Sequence, residues 1–371
     1  MKAVILAGGE GTRLRPITYQ IPKPMIPLVG MPLMEYVIRN LKKHGIEDII
    51  LSTFYMSSIF ISHFGNGEKL GVNITYVPED VPLGTCGAVK NAEKYLKDEP
   101  FLVFNGDIIT SLDFSKLIEY HRQKEAKATI TLTPVEDPTM YGLVPIDSDG
   151  RVIKFLEKPK LDEITTNLIN AGTYVIEPEV LELVPKGINY SFERELFPFL
   201  LSKGEKVFGF PSKSYWLDLG TPQKYLKAQS DILDCKIDFD FPFNQEKPGI
   251  WIGLNTKIDK NSNIFPPVAI GENCMISKDV IINNQSVILN ETEIADGTTV
   301  KNSLIMSNCK IGSNCLINNS IICSGVVVGN NVHIINGTVI GNDSIIGDQN
   351  YLTNGIKIFP KTVLNKGAIT F

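Results

Sequence analysis

Short apolar runs alternate with segments of helical periodicity through the first part of the chain, up to residue 235. Apolar residues from Leu33 to Leu41 recur at helical spacing, and the stretches 178–201 and 221–234 are also predicted to be helical. The runs rich in β-branched residues predict strands at 2–7, 48–53, 72–77, 101–105, 127–134, 151–156 and 170–176. This alternation is typical of an α/β domain with a mostly parallel sheet.

A second pattern, with a period of six residues, replaces the first after residue 250. The stretch 236–250 contains two prolines and mixed charge, which favours a linker. An aliphatic side chain then returns at every sixth position from Ile252 to Leu364, apart from two steps of five residues that end at Ile305 and Ile322. Neither helices nor hairpins repeat at six. The pattern therefore predicts a left-handed parallel β-helix over 251–371, with about six stacked coils.

Composition and charge narrow the classes of partner. The chain of 371 residues carries 36 basic and 41 acidic residues, which is not the basic excess of a nucleic-acid-binding protein. No apolar run approaches the ~20 residues that a membrane span needs. The six cysteines form no C-x-x-C pair, so we expect reduced thiols in a cytoplasmic protein.

Candidate chemistry first appears in LAGGEGTRLRP at 6–16, directly after the first predicted strand. A turn that contains Gly8, Gly9 and Gly11 lets backbone N–H groups approach an anion without interference from a Cβ atom. Arg13 and Lys23 would add side-chain cations, so the stretch predicts a site for the phosphates of a nucleoside triphosphate. It has neither the G-x-G-x-x-G spacing of a dinucleotide site nor the G-K-[ST] of a P-loop.

The same stretch, LAGGEGTRLRPIT followed by PKPMIPL, resembles the signature of the sugar-1-phosphate nucleotidylyltransferases. Further motifs follow in the order of that family: PLGT at 82–85, FNGD at 104–107, YG at 141–142, FLEKP at 155–159, NAGTY at 170–174 and WLDLGTPQKYL at 216–226. The resemblance implies a Rossmann-like nucleotidyltransferase domain over 1–235, to which a β-helix is a common appendage. It also implies the transfer of a nucleotidyl group from a nucleoside triphosphate to a sugar 1-phosphate, with release of pyrophosphate.

Roles for individual residues follow from the resemblance. The implied catalytic residues are Arg13, Lys23, Asp107, Lys158 and Asp218. The implied nucleotide contacts are Leu6, Ala7, Gly8, Gly9, Gly11, Thr12, Arg13, Lys23, Glu79, Pro82, Gly84, Thr85 and Gly106. The implied sugar-phosphate contacts are Gly142, Glu157, Lys158 and Asn170. Because the reaction gathers many negative charges, we expect positioning and charge neutralisation to dominate, without a nucleophilic side chain or general base.

The implied cofactor is Mg²⁺, held by Asp107 and Asp218. Asp107 follows a predicted strand, so its carboxylate would lie at the carboxyl end of a parallel strand, where open α/β sheets bind ligands. Mg²⁺ is a hard ion that prefers oxygen ligands, and two carboxylates plus phosphate oxygens suit it.

Glu79 bears on the choice of nucleotide. Thymidylyl and uridylyl members of the family tend to carry a glutamine five positions before the residue that corresponds to Gly84, where this chain has Glu79. A carboxylate accepts both donors on one edge of guanine, so we expect GTP. The resemblance is strongest to members with a C-terminal β-helix that use mannose 1-phosphate. Glucose 1-phosphate with UTP or dTTP, and a heptose 1-phosphate, stay open as alternatives.

Two functions of other classes also stay open. One is a bifunctional enzyme whose β-helix transfers acyl groups, for which His333 is the candidate general base. The other is a non-catalytic protein that binds a nucleotide sugar, which would be expected to lose a phosphate-binding cation or a metal carboxylate. For the β-helix itself we expect a part in assembly, so that the protein forms a homo-oligomer.

Overall fold

The computed structural model describes residues 1–157 and 159–370. Lys158, an implied ligand of the sugar phosphate, lies outside the described residues. The helices are α1 (Leu33–Lys43), α2 (Ser57–Phe64), α3 (Gly84–Asn91), α4 (Phe114–Gln123), α5 (Phe197–Ser202) and α6 (Pro222–Leu233). The strands up to residue 218 are β1 (Lys2–Leu6), β2 (Pro27–Leu28), β3 (Met31–Pro32), β4 (Asp48–Thr53), β5 (Asn73–Pro78), β6 (Phe101–Asn105), β7 (Ile108–Thr110), β8 (Ala128–Pro134), β9 (Gly142–Leu143), β10 (Leu156–Glu157), β11 (Leu168–Ile176), β12 (Val207–Pro211) and β13 (Trp216–Asp218).

The chain divides into two compact units, and each of them combines two separate stretches of sequence. The first unit comprises Met1–Glu10 and Met34–Trp216, and the second comprises Gly11–Leu33 and Leu217–Phe371. The segment 11–33, which carries two of the candidate cations, therefore belongs to the same unit as the C-terminal repeats. The boundaries at 235 and 250, read from the sequence pattern, stay a prediction.

The first unit is built on a nine-stranded sheet with the order β10-β9-β11-β6-β1-β4-β5, extended by β8 and β12. β6, β1, β4 and β5 run parallel, as the sequence predicted, and β1 lies between β6 and β4. Apolar side chains such as Val4 and Val103 are fully buried against the helices. Because β1 and β6 are parallel neighbours, with Leu6 opposite Asn105, the segments that follow them start at the same edge of the sheet.

Two predicted elements differ from the structure. The predicted helix over 178–201 is a short 3₁₀ turn (Pro178–Leu183), an irregular segment, and a π-helical turn (Phe192–Leu196) that continues into α5. Pro185 and Gly187, whose φ is +76°, lie in the irregular segment and prevent a continuous helix. The predicted strand over 151–156 is limited to isolated bridges at Arg151 and Val152 and to the start of β10.

The C-terminal part of the second unit is a parallel β-helix, as the period of six predicted. Its strands form three sheets, in the orders β15-β18-β21-β24-β27-β30-β33, β16-β19-β22-β25-β28-β31-β34 and β17-β20-β23-β26-β29-β32, with β14 antiparallel to β15. They make six complete coils and two strands of a seventh. The strands are β14 (Asn244–Lys247), β15 (Ile250–Ile252), β16 (Lys257–Ile258), β17 (Asn263–Ile264), β18 (Val268–Ile270), β19 (Met275–Ile276), β20 (Ile281–Asn283), β21 (Ser286–Ile288), β22 (Glu293–Ile294), β23 (Thr299–Lys301), β24 (Leu304–Ile305), β25 (Lys310–Ile311), β26 (Leu316–Asn318), β27 (Ile321–Ile322), β28 (Val327–Val328), β29 (His333–Ile335), β30 (Val339–Ile340), β31 (Ile345–Ile346), β32 (Tyr351–Leu352), β33 (Lys357–Ile358) and β34 (Val363–Leu364).

The two five-residue steps have a local cause at one corner of the triangle. After β20 this corner contains two residues with positive φ, Asn284 (50°) and Gln285 (58°). After β23 and β26 the same corner contains one, Asn302 (41°) or Asn319 (49°). Removing one left-handed residue shortens the turn and leaves the next inward aliphatic residue in register. Asparagine tolerates this backbone region better than most residues.

The segment 11–33 packs against the β-helix through aromatic side chains. The ring centroid of Tyr19 lies 5.6 Å from that of Phe359. The guanidinium carbon of Arg15 lies 5.0 Å from the same Tyr19 ring. Gly30, with φ +93°, approaches Phe243 so closely that a Cβ atom there would lie 2.8 Å from the ring. No helix within the described residues is long and apolar enough to span a bilayer.

Candidate active site

At the edge of the first unit's sheet, Gly106 joins the ends of β1 and β6. Its N–H donates to the carbonyl of Leu6 (3.0 Å), and a Cβ atom at this position would lie 2.8 Å from the same oxygen. Only glycine therefore allows this approach. Asp107 follows directly, at the carboxyl end of a parallel strand, as the sequence predicted.

The glycine-rich turn after β1 lies beside Glu79. A Cβ atom at Gly8 would lie 3.1 Å from Glu79 Oε1. A Cβ atom at Gly9 would have no described atom within 4 Å. Glu79 Oε1 accepts a hydrogen bond from Ser52 Oγ, and Oε2 accepts one from the N–H of Leu83, both at 2.9 Å. Each carboxylate oxygen has a second lone pair, so Glu79 keeps acceptor capacity for a ligand while it holds the segment 82–85 in place.

A carboxylate that the sequence analysis missed connects two predicted contact segments. Glu193 Oε2 accepts a hydrogen bond from Thr85 Oγ1, and Oε1 accepts one from the hydroxyl of Tyr174, both at 2.9 Å. Asn170 Nδ2 donates to the same hydroxyl (2.8 Å). Tyr174 is fully buried, and this burial raises its pKa well above the usual value. The predicted nucleobase segment and the predicted sugar segment thus share one hydrogen-bonded network. The sequence motifs did not predict this connection through Glu193.

The other predicted sugar contacts lie on neighbouring strands. Gly142 pairs with Glu157 across β9 and β10, and a Cβ atom at Gly142 would lie 2.9 Å from Glu157 Oε2. Leu143 pairs with Ile169 of β11, one residue before Asn170. Glycine therefore leaves room for the carboxylate, and all three predicted residues belong to one region of the first unit.

In the second unit, the segment 11–33 folds around a buried threonine. Thr18 is fully buried, and its hydroxyl donates to the carbonyl of Gly11 (2.8 Å), which has φ +63°. Thr12 and Arg13 are exposed in the 3₁₀ turn that follows Gly11. Lys23 begins a second 3₁₀ turn and is only 7% exposed.

Two lysine side chains lie beside the carboxylate of Asp218 in the second unit. Its Oδ1 lies 3.4 Å from Lys23 Nζ, and its Oδ2 lies 3.4 Å from Lys224 Nζ. At Gly220 a Cβ atom would lie 2.9 Å from Asp218 Oδ2 and 3.2 Å from Cζ of Arg13. The guanidinium therefore occupies space that a larger residue at 220 would fill. Lys224 was not predicted, although the motif WLDLGTPQKYL contains it.

The two predicted metal carboxylates belong to different units, Asp107 to the first and Asp218 to the second. No group of three or more His, Cys, Asp or Glu side chains that could hold a metal ion occurs within 1–157 and 159–370. Each carboxylate suits Mg²⁺ as a ligand, because that ion commonly takes one or two carboxylates and completes its octahedron with waters and phosphate oxygens. In the β-helix, the ring of His333 packs 5.3 Å from the ring of Tyr351.

Comparison with known families finds two matches along the chain. A sequence model of the nucleotidyl transferase family matches residues 2–235. A second, described as the LbH domain of EIF2B subunit epsilon, matches residues 247–352, and it identifies the parallel β-helix as left-handed.

Similar proteins include two curated enzymes and one solved structure. Mannose-1-phosphate guanylyltransferase of Mycobacterium tuberculosis is 42% identical over 62% of this chain, and the match spans 64% of that protein. UTP–glucose-1-phosphate uridylyltransferase of Synechocystis is 33% identical over 76% of this chain and 81% of its own length. The crystal structure of HddC from Yersinia pseudotuberculosis complexed with GMP-PN has 35% identity and a TM-score of 0.53, covering 61% of this chain and 97% of HddC.

Proposed function

Because this chain belongs to the nucleotidyl transferase family, we propose that it transfers a guanylyl group from GTP to mannose 1-phosphate. The products would be GDP-mannose and pyrophosphate. The observation that carries the proposal is the group of cations around Asp218, with Lys23 and Lys224 each 3.4 Å from its carboxylate. The name of the mycobacterial relative, 42% identical, supports the choice of both substrates.

The reaction needs charge compensation more than proton transfer. A phosphate oxygen of mannose 1-phosphate attacks the α-phosphorus of GTP in line, and the bond from that phosphorus to the bridging oxygen of pyrophosphate breaks. The attacking oxygen is already anionic, so no base has to remove a proton from it. Lys23 and Arg13 would neutralise the triphosphate and the departing pyrophosphate. Lys158 is proposed, from the family motif alone, to hold the phosphate of the sugar.

We propose Mg²⁺ as the metal ion, with Asp107 and Asp218 as its protein ligands. When bound, the ion supplies positive charge to the phosphate oxygens. Lys23 Nζ and Lys224 Nζ each lie 3.4 Å from the carboxylate of Asp218. Both lysines would add positive charge beside the same phosphate groups.

Glu79 would select guanine in this proposal. Its carboxylate has one unused lone pair on each oxygen, which suits the two adjacent donors of guanine, N1–H and N2–H₂. Uracil and thymine present one donor between two acceptors. A Glu79→Gln variant is therefore expected to lose activity with GTP and to gain relative activity with UTP or dTTP.

The test is a panel of GTP, ATP, UTP and dTTP against mannose 1-phosphate and glucose 1-phosphate, with Mg²⁺, scored by pyrophosphate release. The proposal predicts the highest kcat/KM for GTP with mannose 1-phosphate and loss of turnover in Asp218→Asn. Preference for UTP with glucose 1-phosphate, the substrates in the name of the Synechocystis relative, would replace the substrate assignment but keep the reaction class. Full turnover in Asp218→Asn would contradict the role given to that carboxylate.

We further propose that the protein is a homo-oligomer in which one face of the β-helix contacts a second copy. Exposed aliphatic side chains follow one another in register at the end of the sheet that starts with β16: Val327 (40% exposed), Ile345 (46%) and Val363 (63%). A twofold axis at Ile345 would place Ile345 of each copy against its counterpart and Val327 of each copy against Val363 of the other, which is the self-complementarity that an isologous interface requires.

Light scattering on an Ile345→Glu variant tests the interface. The mass per particle is expected to fall relative to the wild type, while Phe265→Glu, at an exposed position between β17 and β18, leaves it unchanged. An unchanged mass in Ile345→Glu would contradict the choice of face. We also propose a cytoplasmic location, which the six free cysteines support because thiols stay reduced in that compartment.

A further inference from the structure

The backbone that follows Lys23 is held by two side chains of α6. The carbonyl of Pro27 accepts a hydrogen bond from the hydroxyl of Tyr225 (2.6 Å) and another from Gln229 Nε2 (2.8 Å). Gln229 Oε1 accepts a third from the N–H of Val29 (2.7 Å). Gln229 is 1% exposed, so water does not compete for these bonds. A single buried amide thus holds the β2–β3 turn at two points.

This turn needs an external partner because its backbone is strained. Val29 is a β-branched residue with φ +44°, in the left-handed region that such residues rarely adopt. The next residue, Gly30, also has positive φ (+93°) and lies against the ring of Phe243. A conformation of this kind persists only where the surrounding structure holds it, and the Gln229 side chain bonds directly to the strained residue.

The same helix is tied to the carboxylate at the centre of the site. α6 begins at Pro222, shortly after Asp218, and its first turn carries Lys224, which lies 3.4 Å from Asp218 Oδ2. The other oxygen of Asp218 lies 3.4 Å from Lys23 Nζ. One end of α6 therefore adjoins the carboxylate, and Gln229, two turns further along, holds the backbone that positions the lysine.

We infer that Gln229 is a positioning residue for nucleotide binding, which fixes Lys23 relative to Asp218 through the β2–β3 turn. The inference rests on the proposed function of this site as the triphosphate site. Gln229 contacts no reacting group, so it acts through Lys23 alone. Its loss is expected to weaken nucleotide binding and to leave the affinity for the sugar phosphate unchanged.

The primary test replaces Gln229 with methionine, which has a similar length and no strong hydrogen-bonding group. The variant leaves the buried N–H of Val29 without its acceptor, and we expect the dissociation constant and the KM for GTP to rise about tenfold. The KM for mannose 1-phosphate is expected to stay at the wild-type value. Tyr225→Phe removes one of the two bonds to Pro27 and keeps the bond to Val29, so its KM for GTP is expected to rise about threefold.

Asp231→Asn is the matched control. Asp231 lies on the same helix, is 2% exposed, and pairs with Lys227 and Lys236, both at 2.7 Å. Neither lysine belongs to the β2–β3 turn, so this variant is expected to lower the melting temperature without changing the affinity for GTP. Wild-type affinity in Gln229→Met, with a melting temperature lowered as in Asp231→Asn, would reduce Gln229 to a structural residue and overturn the inference. An equal rise of KM in Asp231→Asn would overturn it as well.

The experiment separates failure of the inference from failure of the proposed function. Titration calorimetry of each variant with GTP and Mg²⁺ measures nucleotide affinity without any turnover. A wild type that binds GTP but releases no pyrophosphate would refute the proposed reaction, and the calorimetric comparison would still decide the role of Gln229. A wild type that binds none of GTP, ATP, UTP and dTTP would refute both. If Gln229→Met does not fold, Tyr225→Phe decides: an unchanged affinity for GTP contradicts the inference.

Discussion

His121 makes the stability of the first unit depend on pH. The residue lies on α4 with 1% of its surface exposed, its Nδ1 is 2.8 Å from Thr129 Oγ1, and its Nε2 is 3.3 Å from Glu177 Oε1. Burial lowers the pKa of His121 to about 4, with a smaller contribution from the charge of Arg122. Glu179 also faces the imidazole and acts in the opposite direction.

The sign of the effect follows from the two protonation equilibria. The folded-state pKa of His121, about 4, lies below the usual 6.5, so between these values the unfolded chain binds a proton that the folded chain does not. Stability from this group is therefore complete above pH 6.5 and is lost as the pH falls towards 4. For a shift of about 2.5 pKa units the full effect is ~3 kcal/mol, of which ~2 kcal/mol is lost between pH 7.5 and pH 5.

Urea unfolding at pH 7.5 and pH 5.0 measures this loss. The chain has two tryptophans, and Trp216 belongs to the first unit, so a Trp251→Phe background lets fluorescence report that unit. In this background His121→Asn is expected to lose ~2 kcal/mol less than the histidine-containing protein over the same pH range. Equal losses in the two proteins would refute the assignment of the effect to His121, because Glu177 and Glu179 are present in both.

Three further changes probe the site. Lys23→Met is expected to lower kcat by ~10²–10³ in a protein that stays folded at the assay temperature, measured by pyrophosphate release, since it removes one fixed cation from the developing charge. Glu193→Gln, which disrupts the network between the two contact segments, is expected to raise the KM of both substrates about fivefold in steady-state assays. Phe359→Ala removes the ring partner of Tyr19 and is expected to raise the KM for GTP about threefold, whereas Phe265→Ala, at a similarly exposed position of the β-helix, leaves it unchanged.

The reverse results would contradict these assignments. Wild-type turnover in Lys23→Met would show that Lys23 does not neutralise the triphosphate. A rise of KM for only one substrate in Glu193→Gln would mean that the network does not link the two segments. Equal effects of the two phenylalanine variants on the KM for GTP would attribute the change to the β-helix as a whole.

The repeating elements of the fold could be predicted because equivalent positions in each repeat are buried in the same way. Inward positions such as Ile282 and Ile288 are fully buried between coils above and below, so an aliphatic residue is required at each. β1, β4 and β6 were predicted for a similar reason, since their apolar runs are buried on both faces. The helix over 178–201 failed because Pro185 and Gly187 interrupt a pattern that otherwise has helical spacing.

Residues that act through tertiary contacts could not be predicted in this way. Gln229 and Glu193 are polar residues in helical segments, where a polar residue predicts exposure, yet Gln229 is buried by the β2–β3 turn. Gly106 and Gly142 belong to motifs, but the close approaches that require glycine there involve strands distant in sequence. The membership of 11–33 in the second unit depends on partners almost two hundred residues or more further along the chain, and no local pattern encodes it.

That membership has a consequence for the order in which the protein matures. During synthesis, residues 11–33 leave the ribosome long before α6 and the last coils of the β-helix, which supply Gln229 for Pro27 and Phe359 for Tyr19. Domains generally fold as units, beginning with the N-terminal one, during translation. The segment that carries Arg13 and Lys23 therefore reaches its final packing only after the C-terminal end has emerged, so the surroundings of these two side chains are completed last.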